Sequence, residues 1–227
     1  AVEQLQRLVV GPRAPHRVKG EALASLLANL TGGQVGREPK HVDALQRIRT
    51  LLGPAGCIDS LERTARFLTD FRELYRGATP FVACPATTAE VSQVLALCNA
   101  ARIAVVPQGG NTSYCGGATP SARGDQLVLS LHRLNRIREV DAANFSLIAE
   151  AGCVLMNVQA AARSVDRLFP LSLGSEGSCQ IGGNLSTNAG GLNAVRYGVT
   201  RELVLGLEVV LADGRVIDGL TSLRKDN

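Results

Sequence analysis

Two glycine-rich stretches, about 70 residues apart, constrain this chain more than anything else in it. The first is Pro107-Gln108-Gly109-Gly110-Asn111-Thr112-Ser113-Tyr114-Cys115-Gly116-Gly117. The second runs Gly174-Ser175-Glu176-Gly177-Ser178-Cys179-Gln180-Ile181-Gly182-Gly183-Asn184, then Thr187-Asn188-Ala189-Gly190-Gly191. Glycine lacks a Cβ, so its backbone N–H can approach a ligand closely and can adopt positive φ. The apolar run Ile103–Val106 leads straight into the first stretch and reads as a buried strand ending at Pro107. Gly109 and Gly110 can then present consecutive N–H groups as a nest for a pyrophosphate, or simply form a tight turn. The second stretch outlasts any turn and has seven glycines between Gly174 and Gly198, interleaved with Ser, Thr and Asn. Ligand binding explains such a segment better than packing does. Neither stretch has the G-x-G-x-x-G or G-x-x-x-x-G-K-[ST] spacing, so neither a Rossmann dinucleotide site nor a P-loop is indicated.

Around these loops the periodicity predicts mixed structure. Leu23, Leu26, Leu27 and Leu30 form one helical stripe, and Val42, Leu45, Ile48 and Leu52 a second that stops at Gly53-Pro54. A third amphipathic helix is expected from Leu61 to Tyr75. From Thr79 the pattern alternates. Phe81–Cys84 reads as a strand, Thr87 and Glu90 as a capping box, and Val91, Val94, Leu95 and Cys98 as a helix face. Strands are expected at Leu127–Leu131, Ile137–Val140 and Phe145–Ala149, and a helix at Leu155–Val165. Leu203–Leu211 reads as a long strand that turns at Asp213-Gly214 into a hairpin. Hairpin strands among crossover helices indicate an α+β fold. Residues 1–40 are expected to be a helical, partly frayed extension and 41–227 one ligand-binding domain. Arg7, Arg13 and Arg17 read as a solvated terminus in preference to a transit peptide.

Composition removes several classes. Net charge is +4 with scattered basic residues, and aromatics are 4%, which leaves no phosphate-tracking stripe or stacking platform for nucleic acid. No apolar run reaches the ~18 residues of a membrane span. The three histidines are far apart, so no metal site is expected. The six cysteines contain no C-x-x-C pair and read as reduced, mostly packed thiols, consistent with a cytoplasmic location.

The stretches Pro107–Gly117, Phe169–Ser178, Thr187–Gly191 and Arg196-Tyr197-Gly198 closely resemble FAD-linked oxidases of the vanillyl-alcohol oxidase and p-cresol methylhydroxylase superfamily. The ending Asp213-Gly214-Arg215 through Leu223-Arg224-Lys225-Asp226-Asn227 extends the likeness, which is greatest to the D-2-hydroxyglutarate, D-lactate and glycolate dehydrogenase branch. The resemblance implies a two-part FAD-binding domain of the p-cresol methylhydroxylase type, with FAD between the parts. Pro107, Gly109, Gly110, Asn111, Thr112, Gly116 and Gly117 would belong to the pyrophosphate side. Ser175, Glu176, Gly177, Ser178, Ile181, Gly182, Gly183, Asn188, Gly190, Gly191, Tyr197 and Gly198 would surround the ribityl chain and isoalloxazine. Covalent members often carry a flavin-linked His where this chain has Asn111, so FAD is expected to be non-covalent. Ser113-Tyr114-Cys115 departs from the Gly-Leu-Val often found in the branch.

The implied substrate is a small 2-hydroxy acid oxidised to the 2-oxo acid. The electron acceptor and the catalytic residues are not indicated. The acid–base and metal-binding groups are expected in a substrate domain beyond Asn227, so this chain alone is expected to turn over weakly or not at all. An oxidase of another alcohol and a non-catalytic module are the competing readings, and a homodimer is one open assembly.

Overall fold

The computed structural model describes residues 39–220. The expected stripe at Leu23–Leu30, nearly all of the 1–40 extension and the ending Leu223-Arg224-Lys225-Asp226-Asn227 lie outside these residues.

Helix α1 (Pro39–Leu52) buries Ala44, Leu45, Ile48 and Leu52 and stops at Gly53, whose φ of 64° ends the helical run. Val42 does not join its stripe and is 55% exposed. After β1 (Cys57–Ile58), helix α2 covers only Leu61–Leu68, shorter than its sequence pattern suggests. Asp70 is the reason. Its carboxylate accepts the N–H groups of Arg72 and Tyr75, at 3.1 and 2.7 Å, and folds residues 69–76 back on themselves. These bonds hold the Asp70 carboxyl below its usual range.

Strand β2 (Val82–Ala83) precedes helix α3 (Thr88–Ala101), which is followed by β3 (Ala104–Gln108) and β4 (Gln126–Ser130). The sheet order is β1-β2-β4-β3, with β2, β4 and β3 parallel and β1 antiparallel. Alternation divides its side chains. Ala83, Leu127 and Leu129 face α1 and α3, while Val82 and Val128 pack with Ile58 and Phe67 on the other side. Half of the expected capping box forms. Thr87 Oγ1 accepts the Glu90 N–H, but Glu90 accepts from Ala86 in place of Thr87. Strand β3 continues through Pro107, which pairs with Leu129. Pro is tolerated there because β3 is an edge strand.

The second half has its own core. Strands β5 (Ile137–Asp141) and β6 (Ser146–Ala149) form an antiparallel ribbon that packs with helix α4 (Leu155–Arg163), Phe169, Leu171, Cys179, Ile181 and Leu203. The second glycine stretch is not structureless. It contains helix α5 (Ile181–Ser186) and the single turn α6 (Ala194–Tyr197). The expected long strand at Leu203–Leu211 reduces to β7 (Leu207–Val210), paired with β8 (Val216–Gly219) as the predicted hairpin. Residues Thr200–Leu203 instead make a 3-10 turn, because Thr200 bonds the Ala189 carbonyl through both its N–H and its hydroxyl.

A charged strut joins the two halves. Glu150, 4% exposed, accepts from Arg136 and Arg138. Arg138 also reaches Glu208 at 3.6 Å, and Glu208 accepts from Thr88 at the start of α3. The predicted mixed helix-and-sheet architecture in two parts is the one observed. All six cysteines are free.

Candidate functional site: two glycine loops in contact

The two glycine stretches, one from each half, meet. A Cβ on Gly110 would land on the Ser178 carbonyl oxygen and stand 3.0 Å from Cys179 Cα. A Cβ on Gly109 would stand 3.4 Å from both Cβ and Oε1 of Gln180 and 3.7 Å from the Gly183 nitrogen. No other residue type permits this approach at Gly110 without moving backbone. In contrast, a Cβ on Gly117, Gly174, Gly177 or Gly183 would meet nothing within 4 Å. The loops therefore touch at Gly109 and Gly110, while Gly117, Gly174, Gly177 and Gly183 each have free space where a Cβ would stand.

Each loop is anchored from behind. The first leaves β3 at Gln108, whose buried amide donates to the Phe67 and Ala118 carbonyls at 2.9 and 2.7 Å. Asn111, at φ 53°, turns its amide away to the Arg66 and Thr69 carbonyls at the end of α2. Its side chain is thus engaged with protein. Pro107 faces an apolar cavity of about 140 Å³ shared with Val91, Leu95, Val105 and Leu129, on the α3 side of the sheet and not at the loop junction. Gly116, at φ 65°, leaves room for the Tyr75 ring, while Tyr114 is exposed, packs at a tilt against Phe71 and carries Arg72 over its ring. Among the described residues, no hydrogen bond ties down the Thr112 side chain.

In the second loop, the Ser175 carbonyl accepts the N–H groups of Ser178 and Cys179. Glu176 is held by α4, since its carbonyl accepts from Met156 and its carboxylate from Gln159 at 3.2 Å. Ile181 and Gly182 are buried and donate backbone N–H to Cys153 and Ala151. Asn188, at φ 52°, accepts the Arg201 N–H. Gly190 packs on Val199, and Gly191, at φ 73°, lies against the Ser172 carbonyl. Gly198, at φ 79°, closes α6 against Glu202, and Tyr197 carries Arg196 over its ring. The nearest neighbours of these last residues belong to the second half. The direct meeting of the loops is thus made by Gly109 and Gly110 with residues 178–183.

Sequence reasoning did not single out three residues near the junction as cofactor contacts, although Gln180 and Asn184 lie within the second stretch. Gln180 and Asn184 are buried and sit one helical turn apart. His132 pairs with the buried Ser130 hydroxyl at 3.0 Å, next to the strand end that launches the first loop. Burial, then Arg66 and Arg133, push its imidazole below the usual value, favouring the neutral ring. Among the described residues, no His, Cys, Asp and Glu cluster could hold a metal ion, and no helix is long and apolar enough to cross a membrane.

Comparison with known proteins identifies the family. Residues 79–219 match the FAD binding domain family. Probable D-2-hydroxyglutarate dehydrogenase, mitochondrial, of rice (Oryza sativa subsp. indica) is 46% identical over 185 residues, covering 82% of this chain and 33% of the relative. D-2-hydroxyglutarate dehydrogenase, mitochondrial, of Arabidopsis thaliana is 43% identical, over 79% of this chain and 32% of the relative. The chain thus spans about a third of the length of these curated relatives. Among solved structures, alkyldihydroxyacetonephosphate synthase superposes with a TM-score of 0.71 at 16% identity, covering 81% of this chain and 36% of that one. Substrate-bound p-cresol methylhydroxylase does so with a TM-score of 0.65 at 23% identity, covering 80% and 36%. The cytoplasmic expectation is overturned, because the rice and Arabidopsis relatives are both named mitochondrial. Reduced thiols, on which that expectation rested, do not separate the two compartments. The chain belongs to the FAD binding domain family, has the fold of p-cresol methylhydroxylase over most of its length, and its cofactor is FAD.

Proposed function

We propose that this chain is the FAD-holding part of a dehydrogenase that oxidises a D-2-hydroxy acid to the 2-oxo acid. The meeting of Gly109 and Gly110 with residues 178–183 carries the reading. It brings backbone from both halves together, beside glycines whose missing Cβ atoms leave free space. The residues present fit FAD. Backbone N–H groups around Gly109, Gly110 and Thr112 suit the pyrophosphate. The open faces of Gly177 and Gly183, with Ser175 and Ser178 nearby, suit the polyol chain and ring. Asn111 and Glu176 contribute through loop shape, since their side chains are already bound to protein. Asn111 leaves no imidazole for a covalent link at that position.

FAD supplies the hydride acceptor when bound. This chain's residues hold the cofactor and join the two halves where the loops meet. The names of the rice and Arabidopsis relatives, at 46% and 43% identity, favour D-2-hydroxyglutarate and related D-2-hydroxy acids over other alcohols and over a non-catalytic module. The test is anaerobic addition of D-2-hydroxyglutarate or D-lactate to the full-length flavoprotein. Bleaching of the visible flavin band by a D acid, with release of the 2-oxo acid and no bleaching by the L enantiomer, is expected. A flavin that no D-2-hydroxy acid reduces would refute the assignment.

A further inference from the structure

Buried polar groups in this protein are generally paired. Gln108 donates to two carbonyls, Gln159 to the Leu171 carbonyl at 2.8 Å, and Glu150 sits among arginine donors. The exceptions lie in or just beyond the two glycine stretches. Among the described residues, the buried side-chain oxygens without a partner are Thr119 Oγ1, just past the first glycine loop, and Gln180 Oε1 and Asn184 Oδ1, in the second. Gln180 is 8% exposed and Asn184 6%. An acceptor taken out of water and given no donor destabilises the fold, so a group kept in that state calls for an explanation.

Position supplies one. Gln180 is the residue before α5 and Asn184 lies four residues on, so both occupy one face of that helix. Gln180 Oε1 would lie 3.4 Å from a Cβ on Gly109, so the orphaned oxygen stands at the contact between the loops. The Asn184 N–H donates to the Gln180 carbonyl, which fixes the spacing of the pair. Neither side chain can turn to water without leaving the interior.

We propose that Gln180 and Asn184 are flavin-positioning residues, whose buried amide oxygens accept hydrogen bonds from donors that arrive with FAD, the ring N–H or the ribityl hydroxyls. This rests on the reading that FAD binds where the two loops meet. The protein carries the unpaired acceptors when empty and satisfies them when loaded, so their desolvation serves binding specificity. A ligand of similar shape without donors at these points would leave them unpaired and bind worse.

The experiment uses the full-length protein, stripped of flavin and titrated with FAD, as wild type, Gln180→Met and Asn184→Leu. Both substitutions keep the approximate volume and remove the acceptor. Flavin fluorescence quenching gives the Kd, and thermal melting of the flavin-free protein gives its stability. Each variant is expected to bind FAD about tenfold more weakly, about 1.4 kcal/mol, while its flavin-free form melts at or above the wild-type temperature. A merely structural residue would behave in the opposite way, lowering the flavin-free melting temperature. Variants that bind FAD within about twofold of wild type, or whose flavin-free forms melt several degrees lower, overturn the proposal. Wild-type protein that does not bind FAD would overturn the cofactor reading itself, a result distinct from variants that bind as wild type does.

Discussion

Glu150→Gln tests the buried centre of the charged strut. The carboxylate is buried and takes four donor groups, the Arg136 N–H, Nε and Nη2 and the Arg138 Nε. Glutamine keeps one acceptor oxygen and sets an NH₂ against the Arg136 donors on the other side, so at least one of these bonds is lost and replaced by a donor–donor clash. Breaking a buried ion pair by removing one partner costs roughly 3–5 kcal/mol when the other charge is stranded. Here the stranding is partial, because the Arg136 side chain is 67% exposed and that of Arg138 29%. Water recovers part of the loss, and about 2–3 kcal/mol is expected. In a domain of this size that lowers Tm by roughly 4–12 °C.

The pH dependence of the same variant is a second check. Burial alone would raise the Glu150 carboxyl, but hydrogen bonds from the Arg136 side chain and backbone and from Arg138 outweigh it and hold the group below its usual value. A depressed folded pKa gives stability that is complete above the unfolded value and is lost as pH falls through the folded one. The gap between wild type and Glu150→Gln should therefore be full at pH 7 and begin to close below about pH 4.3, where the unfolded glutamate takes up a proton. Melting followed by circular dichroism from neutral to acid pH reads both effects. A Tm change under about 2 °C at neutral pH, or a gap that widens in acid, would refute the strut.

Other consequences follow from particular contacts. Gly110→Ala places a methyl on the Ser178 carbonyl and should cost about 1–3 kcal/mol and abolish FAD retention on desalting; retention at wild-type affinity would mean that the loops need not touch. Native thiol labelling should modify exposed Cys115 first. Cys98, pushed by burial to about 12, and Cys84 and Cys153, each pushed mainly by burial to about 11, should react only on unfolding. Rapid labelling of Cys98 by peptide mapping would contradict the packing of α3 on the sheet.

Much of this was legible in the sequence because it is local. The glycine loops, the hairpin at Asp213-Gly214 and the cap at Thr87 each declare themselves within a few residues. The shortening of α2 was not legible, because it depends on Asp70 accepting N–H groups at Arg72 and Tyr75, a choice that helical spacing does not encode. The break before β7 has the same character, since Thr200 is drawn to Ala189, eleven residues away. Within the second loop, α5 was hidden because two of its six residues are glycine, and its packing on the second core overrides their poor helix propensity. The roles of Asn111 and Glu176 also required three dimensions. Polar residues in a glycine loop look like ligand contacts until their partners on α2 and α4 are seen. The unpaired oxygens of Gln180 and Asn184 are visible only once burial is known.

The most direct test of the FAD cradle is the FAD affinity of Gly183→Ala in the full-length protein, measured beside the melting temperature of its flavin-free form. A Cβ there meets no protein atom within 4 Å. It lies inside a helix, where Ala is favoured over Gly by up to about 1 kcal/mol. The flavin-free variant should melt at or above the wild-type temperature while its Kd for FAD rises at least about tenfold, because the methyl fills space that the cofactor needs. An unchanged Kd would place FAD elsewhere and contradict the account.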